Sequence, residues 1–377
     1  MSMSVLAGRI TDTLTRVRDR LAGRGDTVTG IGLWLLIAAL LIWFALAETQ
    51  LFVIGVIVGS VLALGAIGLT LIYGILRFAN FAHGDTMMLG AYIAFFALTG
   101  QLARNAREDT EIPWSLGSLP GSLDQIGGLS FGYGLIVSTI VAAAVIGLIV
   151  IGLDRLIYRP LRRRRSGIVI FAVVSLGLAI AIRSVMLIVW GPSPRVYVTG
   201  IHRAEQFDLG FTTIALKADQ IFIFAVAVSL AVLVYLLLFR TKLGKAMRAM
   251  ADNPDLAEVS GINTEQIITW TWLIGGSLVA IAGVLLALQA QLNPNLGFFL
   301  LLPLFASTIL GGIGNPLGAL AGGLIVGITQ EVSVGIDLSV GGWEILPLAP
   351  GYKFSVAVVI LIFILLSRPR GLFGAKV

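Results

Sequence analysis

Long, uninterrupted runs of apolar residues leave this chain few ways to fold. No charged side chain occurs in 51–75, 132–153, 220–239, 266–290 or 298–330. A bilayer core needs about 20 apolar residues per helix, and a lipid-embedded helix satisfies its own backbone polar groups. Hydrophobic residues make up 57% of the 377 against ~45–50% in soluble proteins, and charged residues 12% against ~25%. With a mean hydropathy of +0.97, the sequence is that of a multi-pass, all-α membrane bundle.

Spans are expected at 31–47, 51–75, 84–101, 132–153, 167–190, 220–239, 266–290, 298–312, 316–334 and 353–367, about ten in all. Gly311, Gly312, Gly314 and Pro316 punctuate the 298–312 and 316–334 pair. With the N-terminus placed in the cytoplasm, 19 of the 26 Lys and Arg fall on inner segments, including the tract Arg162–Arg165. Six fall outside (Arg104, Arg107, Arg195, Arg203, Lys217, Lys353), and Arg183 lies inside a span. This asymmetry predicts both termini in the cytoplasm and assigns the net charge of +6 to the lipid bilayer, not to nucleic acid. Arg183, seven residues from Trp190, is expected to snorkel about 10 Å to the outer end. Ala45-Leu46-Ala47 has the form of a signal-peptidase site, but the long basic segment before the apolar run favours an uncleaved anchor. Leu6, Ile10, Leu14, Val17 and Leu21 predict a basic surface helix ahead of it.

With no cysteine and only two histidines, His83 and His202, neither a thiolate nucleophile nor a metal cluster is expected, and no cofactor is called for. Three places carry the remaining information. In the first, Asn80, His83 and Asp85 interrupt two apolar helices. Capping accounts for Asp85 and Asn80; the functional reading is a broken helix on a translocation path. The second is Gly311-Gly312-Ile313-Gly314-Asn315-Pro316, which resembles the first break in its parity and suggests a parallel internal duplication. Close helix packing through small residues is the simpler account of the same glycines.

The third is the loop 240–265. Leu243, Met247 and Met250 fall on one helical face and Lys242, Lys245 and Arg248 on another. Asn253, Pro254 and Asp255 then read as N-cap, first position and first-turn acid of a second short helix that carries Glu258 and ends at Gly261. Two short cytoplasmic helices suit the docking of a soluble partner; lying on anionic lipid is the alternative. There is no phosphate loop: Phe239 stands where one ending at Gly244-Lys245 needs its first glycine. ATP hydrolysis would therefore sit on another chain.

The run Leu71–Asp85 and on to Tyr92, the loop from Gly244 to Ile262, the segment Ala306–Gly323 and the tail Arg368–Gly374 together resemble the LivH-type permeases of branched-chain amino-acid ABC importers. The resemblance implies a permease domain over 51–377, preceded by an extension of residues 1–50 with one extra span. It also implies an inner-membrane location, a second permease subunit, cytoplasmic ABC ATPase subunits and a periplasmic substrate-binding protein. Lys245, Met247, Arg248, Asn253, Pro254, Glu258 and Gly261 would then form the ATPase-coupling loop. Asn80, His83, Asp85, Gly311, Gly312 and Asn315 would flank the path. Family members usually carry glutamate where Asp85 stands, and the outer loops 102–131 and 191–219 are long. Two alternatives accompany this reading: an ABC permease for urea or amides, and a self-contained secondary transporter using His83 and Asp85 as a proton relay.

Overall fold

The computed structural model describes residues 37–105, 108–198, 204–208, 210, 212–335, 338–340, 343–346, 349–367 and 371–373. The basic helix expected before residue 30, His202 and the terminal Arg368, Arg370 and Lys376 lie outside them. Two compact units divide the chain, Met1–Thr49 and Gln50–Val377. In the first, helix α1 (Ile37–Ala47) is apolar, with the Trp43 and Phe44 rings 5.4 Å apart.

The second unit is a helical bundle with the elements α2 (Thr49–Leu76), α3 (His83–Thr99), α4 (Tyr133–Leu153), α5 (Arg159–Arg163), α6 (Ile168–Trp190), α7 (Ala218–Arg240), α8 (Lys242–Asp252), α9 (Pro254–Val259), α10 (Thr264–Gln289), α11 (Leu296–Gly311), α12 (Pro316–Val332) and α13 (Lys353–Ser367). A π-helical turn, Asp154–Tyr158, joins α4 to α5 without a break. Among the described residues, five helices are long and apolar enough to cross a bilayer: α2, the continuous α4–α5, α6, α7 and α10. Among the described residues, α1, α11, α12 and α13 are apolar but shorter, so length alone does not carry a count of ten.

Helices α2 and α10 form the centre, and α6 and α7 the periphery, where few of their side chains are buried. Glycine explains how the central helices come so close. Gly55, Gly59 and Ala63, one turn apart on α2, meet Gly323 and Gly327 of α12; a Cβ on Gly327 would sit 2.2 Å from the Gly59 Cα. This is the small-residue seam by which helices pack in lipid. On α10, a Cβ at Gly283 would lie 2.0 Å from the Met87 carbonyl oxygen of α3.

Long-range bonds define two ends of the bundle. At one end Gln50, at the start of α2, exchanges two hydrogen bonds with Ala215. There, too, Arg195 after α6 bridges Leu292 after α10. Ala215 belongs to one of the three antiparallel hairpins among the described residues, Gln101–Asn105 with Glu108–Glu111, Glu205–Asp208 with Thr213–Leu216, and Leu338–Val340 with Trp343–Leu346. Tyr197 donates to the Ala91 carbonyl at 2.7 Å, and burial keeps its hydroxyl well above the usual phenol pKa, so it remains a donor. At the other end the C-terminus of α2 meets α8: Arg77 donates to the carbonyls of Ala251 and Asp252 at 3.2 and 3.3 Å.

Candidate functional site

The break after α2 is re-entrant. Helix α2 stops at Leu76, Arg77 takes a left-handed φ of 55°, and the chain turns back along the helix it has just left. His83, the first residue of α3, bonds through Nε2 to the carbonyl of Gly65 at 2.9 Å. Gly65 lies eleven residues before Leu76, so α3 starts about 16 Å inside the bundle at 1.5 Å per residue. On the way, Ser175 of α6 accepts from the Phe81 amide at 3.0 Å, and its one hydroxyl proton is shared between the Ala172 carbonyl at 2.8 Å and that of Ala79 at 3.3 Å. Irregular backbone at membrane depth survives where protein groups satisfy it, as here.

Asn80 is buried, and its Oδ1 accepts from the Ala82 amide at 3.2 Å, which closes the turn into α3. Asp85 does not serve as the cap. The N-cap position is Ala82, with no side-chain bond, while both Asp85 oxygens accept from Arg183, at 3.0 Å from Nε and 2.9 Å from Nη2. Arg183 accordingly does not snorkel. It turns inward to this fork, with its guanidinium 4.8 Å from the centre of the Phe298 ring. An isolated charge in hydrocarbon is costly, and pairing with a buried carboxylate answers that cost better than a 10 Å reach along the helix surface.

The second break is a tight turn. Gly312 and Gly314 adopt φ of 97° and 85°, and Asn315 caps α12 by accepting from the Leu317 and Gly318 amides at 3.1 Å each. Gly311 and Gly318 touch backbone to backbone, which closes the hairpin. The Gly314 amide donates to Thr70 of α2 at 2.8 Å, and the Asn315 side chain to the Phe373 carbonyl at 3.2 Å.

Helix α8 folds back under α7. Thr241 caps it by accepting from the Gly244 amide at 3.0 Å, and a Cβ on Gly244 would strike the Leu237 carbonyl at 2.2 Å. Met247 and Met250 are buried, Lys245 is exposed, and Arg248 stacks 4.7 Å over the Phe239 ring. Asn253 caps α9 by accepting from the Leu256 amide at 3.0 Å, with Pro254 at the first position. Gly261 ends it at φ 86°; its amide reaches the Glu258 carbonyl and that of Ile262 reaches Ala257. That is a Schellman motif, which needs a residue tolerant of left-handed backbone. Glu258 is exposed, and the apolar Leu256 and Val259 are 63% and 87% exposed.

These pieces converge on a cavity of about 900 Å³ between the end of α2, the end of α7, α8 and the second break. Lys245, Met247, Arg248 and Asn315 line it; Asn80, His83 and Asp85 do not. Gly311 and Gly312 do not line it, whereas Ile313 and Gly314 of the same turn do.

Two physical links that the sequence reading did not assign join the α8–α9 loop to the re-entrant segment. One is Arg77, whose guanidinium holds the last carbonyls of α8. The other begins at Glu265, in the first turn of α10, which pairs with Arg159 at 3.1 Å and Arg162 at 3.5 Å. Arg162 also forks onto Asp154, and Asp154 accepts from the Trp272 indole at 2.8 Å. Trp272 stacks on Tyr158 at 5.3 Å, and the Tyr158 ring lies 5.1 Å from Phe78 of the re-entrant segment. Apart from the Arg162–Asp154 fork these contacts join residues 80 or more positions apart, so periodicity and capping could not expose them.

The family described as branched-chain amino acid transport system, permease component, matches residues 51–365. A high-affinity branched-chain amino acid transport system permease protein, BraD of Pseudomonas aeruginosa, is 32% identical over 86% of this chain and 95% of its own length. LivH of Escherichia coli K12, also named a high-affinity branched-chain amino acid transport system permease protein, is 31% identical over 85% and 93%. A probable branched-chain amino acid transport permease protein LivH of Methanocaldococcus jannaschii is 28% identical over 87% and 93%. No solved structure matches the chain.

Proposed function

The chain belongs to the family of branched-chain amino-acid transport permeases, and on that premise we propose that it is the membrane-spanning subunit of an ATP-driven importer of branched-chain amino acids. Hydrolysis takes place on separate ABC ATPase subunits docked on α8 and α9, a second permease completes the pathway, and a binding protein delivers the substrate at the opposite end. Both termini lie on the ATPase side, a placement supported by the Lys and Arg asymmetry.

The observation that carries this reading is the α8–α9 pair. It is capped at both starts and closed by Gly261, with one face anchored in the bundle through Met247 and Met250 and another offering exposed Leu256 and Val259. A rigid, capped element with an apolar exposed face suits a protein partner. Movement of that element pulls on Arg77 and on Glu265, and so on the re-entrant segment from both sides. A self-contained proton-coupled carrier is poorly supported, because Asp85 is held by Arg183 and His83 by the Gly65 carbonyl.

The test is purification of the tagged chain from its native membrane in mild detergent, followed by leucine uptake in proteoliposomes. Co-purification of an ATPase and a second permease, with uptake that requires ATP and the binding protein, is the expected result. A chain that purifies alone and drives uptake from an ion gradient would overturn it.

A further inference from the structure

Helix α6 buries one stripe, Phe171, Ser175, Ala179, Ile182, Met186 and Trp190, and it packs on α3. Polar groups recur along this seam. Asp85 and Tyr92 are seven residues apart on α3, as are Arg183 and Trp190 on α6, so two levels face each other about 10 Å apart. The deeper level is the Asp85–Arg183 fork, with the Asp85 side chain 1% exposed, that of Arg183 20% exposed and the Phe298 ring alongside. At the other level the Tyr92 and Trp190 rings are 5.2 Å apart. There the Tyr92 hydroxyl and the Trp190 indole N–H are both buried, and neither has a hydrogen-bond partner among the described residues. Buried donors are nearly always paired, and two orphans on one seam mark a place where the described residues leave an acceptor wanting.

Resting on the importer reading above, we propose that the α3–α6 seam is the substrate's line of passage and recognises a zwitterionic aliphatic amino acid. Tyr92 and Trp190 donate to its α-carboxylate. At the deeper level the ion pair opens: the carboxylate replaces Asp85 on the Arg183 guanidinium, the α-ammonium replaces Arg183 on Asp85, and the aliphatic side chain lies against Phe298. One internal pair is exchanged for two external ones, so no buried charge is left alone, which is the condition that makes opening a buried ion pair tolerable. Urea or a neutral amide cannot answer both charges, and an amino-acid amide, as a cation, leaves Arg183 unpaired. The seam thereby selects against the amide substrates considered from the sequence.

Tyr92→Phe is the direct test. It removes a hydroxyl that has no partner, so a purely structural seam is unchanged or slightly stabilised. The seam as a path predicts that leucine uptake by the reconstituted complex, at subsaturating leucine, falls about tenfold, the size of one hydrogen bond to a charged group. The double variant Asp85→Asn with Arg183→Gln keeps a hydrogen-bonding pair without charge. It is expected to assemble, as gel filtration reads, and to hydrolyse ATP in response to loaded binding protein, yet to import no leucine. A wild-type complex that moves no amino acid overturns the importer reading and this one with it. A wild-type complex that imports leucine, while Tyr92→Phe imports it within about twofold of wild type, overturns the seam alone.

Discussion

The α2–α12 seam makes a demand that one methyl group can test. In Gly327→Ala the new Cβ would lie 2.2 Å from the Gly59 Cα, 2.5 Å from the Gly59 amide nitrogen and 3.0 Å from the Gly55 carbonyl oxygen. Ordinary contact begins at 3.4 Å, so the two backbones must part by about 1.2 Å. No flexible side chain stands in the way to yield, and α12 must move as a body, loosening Gly323 against Ala63 as well. Overpacking of this kind costs about 1–3 kcal/mol, and an obstacle made of backbone puts the value at the upper end. Alanine recovers about 1 kcal/mol of helix propensity, so a control must remove that contribution. Gly177 supplies it: the residue is inside α6, with nothing within 4 Å of an added Cβ. Gly177→Ala should therefore collect the propensity alone. Heat tolerance of the detergent-solubilised complex, followed by fluorescence-detected gel filtration, should place Gly327→Ala below wild type and Gly177→Ala at or above it. If the two variants melt together, the close approach of α2 and α12 is not what holds this bundle.

Arg77→Ala removes the bonds to the Ala251 and Asp252 carbonyls; it should leave assembly intact while ATP hydrolysis proceeds with reduced uptake, and a normal ratio of uptake to hydrolysis would refute the link. Gly261→Pro, where φ is 86° and proline requires about −65°, and Met247→Asp, which buries a carboxylate, should uncouple hydrolysis from uptake with insertion preserved; unchanged transport in both would sink the docking assignment. Asp154→Ala removes the fork on Arg162, which keeps its contact with Glu265, and leaves the Trp272 indole without its acceptor; it should cost about 1–3 kcal/mol of stability, visible as a lowered melting temperature. The chain has no native cysteine, so Val259→Cys and Val196→Cys should label from opposite sides of the membrane, with Val259 cytoplasmic; the reverse would invert the topology.

What was legible in the sequence was local. Each expected span from residue 51 on coincides with a helix, though α11, α12 and α13 are shorter than the rest, because an apolar run in lipid must satisfy its own backbone polar groups. Asn253 and Gly261 were legible for a similar reason: a cap bonds within three residues, and a left-handed terminus asks for glycine where the periodicity ends. Glycines could be read as packing residues, yet which helix each would meet could not. Gly59 and Gly327 are 268 positions apart, and nothing along either helix names the other. The Glu265–Arg162–Asp154–Trp272 chain was hidden in the same way, since Arg162 belonged to a tract whose topogenic role already accounted for it.

Arg183 answers to a neighbouring helix and not to its own helix end. Measured along its own helix, the nearest polar region is the end at Trp190, about 10 Å away, and snorkelling follows. That measure assumes that every neighbouring helix starts at a membrane surface. Helix α3 does not: the re-entrant segment delivers its first turn, and Asp85 with it, about 16 Å inside the bundle. A charge count held part of the correction. Arg183 is the one base well inside an expected span, and Asp85, at the start of another, is one of only two acids within the spans, so opposite charges short of water were available to each other whatever their separation in sequence. The pairing then fixes a depth that hydropathy cannot. If Asp85 meets Arg183 two turns below Trp190, α3 begins within the membrane, and the polar residues that interrupt the apolar runs are the signature of that start.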